Sequence, residues 1–297
     1  MLRAAMAEPI SLVLSGGGCK TFWGMGAYEV LEDLLPPIER WSAVSAGVAM
    51  ALARCTGLFP ETMQVFLDEV DRNESNIYPR RVFSRRDRAF PHDGIYRGTI
   101  AAILERGGFE RVRESVPVHM LISHIEPGYP LVRTSAVAVR NHMIARRRRD
   151  LHGPGHLAPG LGYRALSSHD AQSPAELIDW IVASSTIPPF TRIQREGGRT
   201  FLDGGLVDNT PIRALPKHAR AEGRKIVCLI SHKKPTPRIP MRTPEGAEIL
   251  YLAAPEPLPI RIWDYTSPDK VVEIFERGKR DAEALRPVLA AFTSASR

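Results

Sequence analysis

The sequence predicts an α/β fold, and two observations carry that prediction. Ile10–Leu14 is a short apolar run ending in Ser15-Gly16-Gly17-Gly18, and Trp41–Val44 is a second, ending in Ser45-Ala46-Gly47. Each small-residue turn then opens a helical pattern, and strand, tight turn and helix repeated in that order mark a sheet whose strands are joined by helices. The composition agrees, since 43% of the 297 residues are hydrophobic and 25% charged, which excludes wholesale disorder.

The first helical pattern runs over 22–35, where Phe22, Met25, Val30, Leu31 and Leu34 recur at near-helical spacing until Pro36-Pro37 stops them. Ala46–Cys55, rich in alanine with Val48, Met50 and Leu52, reads as a buried helix. The rhythm breaks over Tyr78–Arg97, where Arg80, Arg81, Arg85, Arg86, Arg88 and Arg97 are interleaved with Tyr78, Phe83, Phe90 and Tyr96. A helix is expected near Ile95–Arg106, followed by strands near Val118–Ile125 and Leu131–Val139. Arg146–Asp170, which opens on four consecutive arginines, is expected as a loop. A helix at Pro174–Ser184 precedes a hairpin of Thr191–Arg195 and Thr200–Leu202 about Gly197-Gly198, and Ile226–Ser231 reads as a late strand. Lys234–Pro259 is proline-rich and is expected to wrap the body, with Asp269–Phe292 forming a final amphipathic helix. The expected division is an extension over 1–9, a core over 10–231, and a wrap with C-terminal helix over 232–297 packed on the same domain.

Cys19, Cys55 and Cys228 are odd in number and far apart, which excludes a disulfide framework and fits a reducing compartment. No apolar run approaches the roughly 20 residues of a membrane-spanning helix, and Met1–Pro9 lacks the apolar stretch of a secretory signal. A cytoplasmic location, peripheral at membranes, is therefore expected. The net charge of +7 favours anionic partners without choosing between membranes, nucleic acid and acidic proteins.

Three motifs carry chemistry. Gly16-Gly17-Gly18-Cys19-Lys20 lies between a strand and a helix, where outward N–H groups can hold a phosphate or a developing oxyanion, or simply turn the chain. Ala43-Val44-Ser45-Ala46-Gly47 matches a nucleophile elbow with alanine in the first glycine slot, and equally a serine N-cap. Asp203-Gly204-Gly205 ends a strand with a carboxylate before two permissive glycines, which suits a base or an Asx turn. Asn209 and Pro211 are expected to begin the next helix.

Taken together and in this order, the motifs resemble the patatin-like phospholipase family. Gly26, the block Ala183-Ser184-Ser185-Thr186-Ile187-Pro188-Pro189-Phe190, and Asp203-Gly204-Gly205 with Asn209 and Pro211 are similar to that family's remaining signatures. The resemblance spans about residues 10 to 231 and implies a three-layer α/β/α sandwich with a mostly parallel central sheet. It further implies Ser45 as nucleophile and Asp203 as base of a dyad without histidine. The turn of Gly16, Gly17, Gly18 and Cys19 would be the oxyanion hole, with Ala43, Gly47, Gly204, Gly205 and Asn209 in support. Acyl transfer to Ser45 and hydrolysis of a lipid ester would follow, without metal or cofactor. Ala43 and Thr21 depart from the usual pattern, and neither removes a reacting group.

Other readings stand beside this one. A thioesterase or acyltransferase could use the same dyad, and His218 or His232 could complete a Ser–His–Asp triad. Arg40 stands where a dinucleotide fold would place its acidic residue. His152 and His156 are four apart, although Gly153-Pro154-Gly155 between them argues against a metal helix. Cys19 could be a reactive thiol or a packed one. Tyr78–Arg97 could meet an anionic membrane surface or form a solvated loop, and Arg146–Arg149 reads as an exposed charge run. A basic module on an inactive hydrolase fold is the non-enzyme reading, with no specific nucleic-acid motif to support it.

Overall fold

A computed structural model describes residues 8–83, 88–237 and 239–294. Its centre is a nine-stranded sheet. Strands β1 (Ile10–Leu14), β2 (Ile38–Val44) and β3 (Val118–Ile125) lie on or beside its axis, and β4 (Leu161–Ser167) joins β3 antiparallel. The hairpin of β5 (Arg195–Glu196) and β6 (Arg199–Asp203) closes one side. Strands β7 (Lys225–Ile230), β8 (Met241–Arg242) and β9 (Glu248–Ala253) complete the other. The pairs β3–β2, β2–β1, β1–β7 and β7–β9 are all parallel, so the central sheet is mostly parallel as expected.

Alternation along β1 sets the layers. Leu12 and Leu14 join the larger core on one face of the sheet, whereas Val13 joins a second core with Ile226, Cys228 and Ile230 on the other. The larger core takes residues from α1 (Thr21–Leu31), α2 (Ala46–Cys55), α3 (Phe59–Asp71), α4 (His92–Ile103), α5 (Phe109–Glu114), α7 (Pro174–Ser184), α8 (Pro268–Glu283) and α9 (Arg286–Ser294). The opposite face is covered by α6 (Leu131–Arg148) and short 3-10 turns. Among the described residues no helix is long and apolar enough to cross a membrane.

The second helix, β3 and α7 match their expected bounds. Other expectations fail. Leu131–Val139 is the first half of α6, not a strand: alternating valines suggest period two, but the buried Thr134, Ala138 and Ala145 follow the helical period. The expected loop at Arg146–Asp170 therefore begins in α6 and later contains β4, a strand whose mixed burial hides its pattern. Within the proline-rich segment, Glu248–Ala253 is a sheet strand paired with β7; flanking prolines mask the apolar run of a buried parallel strand. Asn209 and Pro211 precede only a 3-10 turn at Ile212–Ala214.

The single helix expected over Asp269–Phe292 is two, α8 and α9, and α8 packs closely on α1. A methyl at Gly26 would run into the Phe275 carbonyl, and one at Gly278 into that of Trp23, so two glycines let the backbones meet. Trp23 Nε1–H donates to Asp281 Oδ2 at 2.8 Å across the same seam.

Candidate active site

Two strand ends meet on one edge of β3. Strand β4 covers one edge of β3 from His119 to Ile125. The other edge is shared, with β2 pairing along Val118–Leu121 and β6 along Ile122–Ile125. Because β2 runs parallel and β6 antiparallel to β3, they point at each other: Val44 is the partner of Leu121, and Asp203 is the partner of Ile122. Ser45, the residue after Val44, is thus delivered beside Asp203. Gly204 permits the approach, since a methyl there would overlap the Leu121 carbonyl and crowd Val44.

Ser45 turns sharply out of β2 with φ 55° and ψ −140°, a conformation that side chains rarely adopt. Small neighbours make room: a methyl on Gly47 would sit 2.8 Å from the Ser15 carbonyl oxygen, and one on Gly16 would sit 3.1 Å from Ser45 Cβ. The Ser45 hydroxyl makes no capping bond to α2, so the N-cap reading is not realised. Its backbone is held instead, for Ser45 N–H donates to Ser184 Oγ at 2.9 Å, and Ser184 Oγ–H donates to Leu121 O at 2.7 Å.

Asp203 is buried, and its Oδ1 accepts from Gly205 N–H at 2.6 Å, so the Asx-type turn is real. Burial pushes the carboxyl up to about 6, while hydrogen bonding from Ser45 and from Gly205 acts the other way. Its own N–H donates to Thr186 O at 2.8 Å, which ties β6 to the segment after α7.

The glycine turn faces the same point. Gly16 N–H donates to Asn209 O at 3.2 Å, and Cys19 N–H donates to Ile262 O at 3.1 Å. Among the described residues, no backbone acceptor takes the N–H of Gly17 or Gly18. Gly18 is in the left-handed region at φ 54°, where a methyl would also strike the Ile262 carbonyl. Asn209 bridges the turns, its Nδ2 donating to Gly16 O at 3.4 Å and its Oδ1 lying beside both Gly16 and Gly205.

The rival residues are placed elsewhere. His218 Nε2 lies 2.6 Å from Arg40 Nη1, at the start of β2 and away from Ser45. His232 abuts Gly17, and burial together with Lys20, Arg146, Lys234 and His142 pushes it down to about 3; among the described residues no carboxylate orients it. His152 is engaged by Asp208 Oδ1 at 3.0 Å and the Tyr251 hydroxyl at 2.7 Å, and no group of metal-ligating side chains forms among the described residues. Cys19 is a buried thiol donating to Asp264 O at 3.2 Å, and burial raises its pKa. In the Tyr78–Arg97 stretch, Phe90 packs on Phe190, Tyr96 is buried, and Arg97 pairs with Asp179 at 2.8 Å. Arg85 and Arg86 lie outside the described residues.

Three further residues at the site were not singled out by sequence. Ser184 was only part of a similar block. Tyr96 accepts from Ser185 Oγ at 3.1 Å and is pushed up by burial and by nearby Asp203. His142 of α6 lies with Nδ1 3.0 Å from Gly205 O.

A family model described as patatin-like phospholipase matches residues 12–216. The chain belongs to that family. The patatin-like match contains Ser45, Asp203 and Asn209, and leaves His232, β9 and α8 outside it. Among solved structures, human GIVD cytosolic phospholipase A2 is similar at TM-score 0.54 and 9% identity, over 99% of this chain and 60% of that one. The chain thus spans 60% of that human protein, and at 9% identity the likeness concerns the fold. VipD from Legionella pneumophila is similar at TM-score 0.41 and 13% identity, over 95% of this chain and 67% of that one. No curated protein is significantly similar in sequence.

Proposed function

We propose that the protein is a serine acyl hydrolase of lipid esters, working through Ser45 and Asp203. The observation that carries this reading is the convergence of β2 and β6 on Leu121 and Ile122, which sets an uncapped serine beside a buried carboxylate. Family membership supplies the substrate class, since patatin-like phospholipases take lipids.

The chemistry follows from the groups. Asp203 accepts the Ser45 proton as Oγ attacks the acyl carbonyl, and the carbonyl π pair moves onto oxygen. The N–H groups of Gly17 and Gly18 receive that oxyanion, each donor worth roughly 3–4 kcal/mol by analogy with other hydrolases. Collapse expels the alcohol, which takes the proton from Asp203 and leaves the acyl group on Ser45. Water then repeats the sequence, with Asp203 again as base, and releases the acid. A carboxyl near 6 is a better base than an ordinary carboxylate and is still ionised at neutral pH. The three free cysteines fit the reducing cytoplasm as the place of action.

Wild type, Ser45→Ala and Asp203→Asn are compared on a short-chain acyl ester and on phospholipid vesicles, with folding checked by thermal melting. Loss of hydrolysis in both folded variants is expected. Retention of activity by Ser45→Ala would remove it as nucleophile.

A further inference from the structure

We infer that α6 is the surface by which the protein docks on an anionic phospholipid bilayer. The helix contains no acidic residue, while Arg133, Arg140, Arg146, Arg147 and Arg148 lie in it and Arg149 follows as its C-cap. Among the described residues none of these six forms a salt bridge, whereas Arg54, Arg97, Arg164 and Arg286 elsewhere each do.

The apolar residues of α6 complete the argument. Its fully buried residues are small, namely Thr134, Ala138 and Ala145, with Leu131 and Val137 packed half-buried beside them. Val132, Val139 and Met143 occupy the opposite face and are 81%, 45% and 49% exposed, with Tyr129, 50% exposed, just before the helix. Their spacing of seven and then four residues keeps them in one row, with Arg140 and Arg147 on one flank and Arg146 on the other. A face that only had to be wet would gain nothing from valine and methionine there. At a bilayer the row enters the acyl boundary while the arginines meet phosphates. A nucleic-acid backbone would use the arginines but leave the apolar row in water, and the row offers no stacked aromatic ladder.

The position fits as well. On its inner side α6 touches the site, through His142 against Gly205 O at 3.0 Å. One turn later lies Arg146, which adds to burial in lowering the pKa of Lys20, just after the glycine turn. Docking by α6 would therefore present the rim of the glycine turn to the lipid. The inference concerns binding and does not depend on Ser45 as nucleophile.

The test sediments the wild-type chain with vesicles of ether-linked phospholipids, which hold no acyl ester to cleave: the choline lipid alone, or equimolar choline and glycerol lipids. Cosedimentation with the mixed vesicles, weakening as salt rises, is the expected result. Arg140→Gln with Arg147→Gln should weaken it about 30-fold, at roughly 5-fold per arginine. Val132→Ser with Met143→Ser should also weaken it, and Arg80→Gln with Arg81→Gln should leave it unchanged. Each variant is melted to check its fold. The inference is overturned if folded α6 variants sediment like the parent, or if the Arg80 and Arg81 pair proves to carry the binding. Failure of the parent to bind mixed vesicles overturns it equally, including the case where it binds a DNA duplex instead.

Discussion

Ser184 holds Ser45 in place from behind: its hydroxyl accepts the Ser45 N–H at 2.9 Å and donates to Leu121 O at 2.7 Å. One buried hydroxyl therefore satisfies a donor on the elbow and an acceptor on the strand that joins the two active-site ends. Ser184→Ala leaves both groups unpaired, at a cost of about 1–3 kcal/mol. We expect a lower midpoint in urea, and in the folded fraction a kcat reduced about tenfold or more with little change in KM, because the bond orients the proposed nucleophile rather than the substrate. Unchanged kcat in folded Ser184→Ala would confine Ser184 to a structural role.

With Asp203 as the proposed base, hydrolysis should depend on pH in a defined sense. Its carboxyl is pushed up to about 6 and acts as a base only when ionised, so kcat/KM should rise about tenfold per pH unit below 6 and level above it. A flat profile between pH 5 and about 7 would remove Asp203 as the base.

Stability runs the other way over the same window. An unfolded aspartate titrates near 4, whereas folded Asp203 titrates near 6, so between these values the folded state holds the extra proton. Stability contributed by that proton is present at low pH, falls as pH rises through the window, and stays lost above it. Asp203→Asn should therefore be more stable than wild type at neutral pH, by on the order of 2–3 kcal/mol, with the difference vanishing near pH 4. Denaturant unfolding at both pH values checks it; a less stable Asp203→Asn at neutral pH would contradict the assignment.

Gly204 sets the separation of the two strand ends. Gly204→Ala places a methyl against the Leu121 carbonyl and Val44, so the turn after β6 must move. A loss of roughly 1–3 kcal/mol is expected from the crowding, together with a loss of hydrolysis in protein that still melts cooperatively. Full activity in that variant would show that the approach of Val44 and Asp203 is not needed.

Cys19, Cys55 and Cys228 should react slowly with iodoacetamide at neutral pH, since burial raises all three thiols, Cys55 to about 11. Mass spectrometry of the native protein should find little alkylation until denaturant is added. Rapid labelling of Cys19 would revive the reactive-thiol reading.

What the sequence disclosed follows from how locally each feature is encoded. Ala46–Cys55, Val118–Ile125 and Pro174–Ser184 carry their own periodicity and stop signals, and their bounds were read directly. Gly16, Ser45, Asp203 and Asn209 could each be suspected from small residues at strand ends, and the fold brings them together. Helix α6 misleads because its fully buried residues are small while Val132 and Val139 face outward, which inverts the usual signal. Nothing local marks the roles of Ser184, Tyr96 and His142, although the first two lie in stretches the sequence does point to, because those roles exist only across contacts between distant segments.

The convergence of β2 and β6 on β3 also orders events in time. Ser45 emerges early in synthesis, but its carboxylate partner is the last residue of a strand made much later, and the two meet only after β3 has accepted both ends in register. A slip of one residue would turn Asp203 to the other face. Under the proposed chemistry a nascent or half-folded chain carries a nucleophile without its base, so a cell making this protein keeps its own lipids out of reach until the sheet is complete.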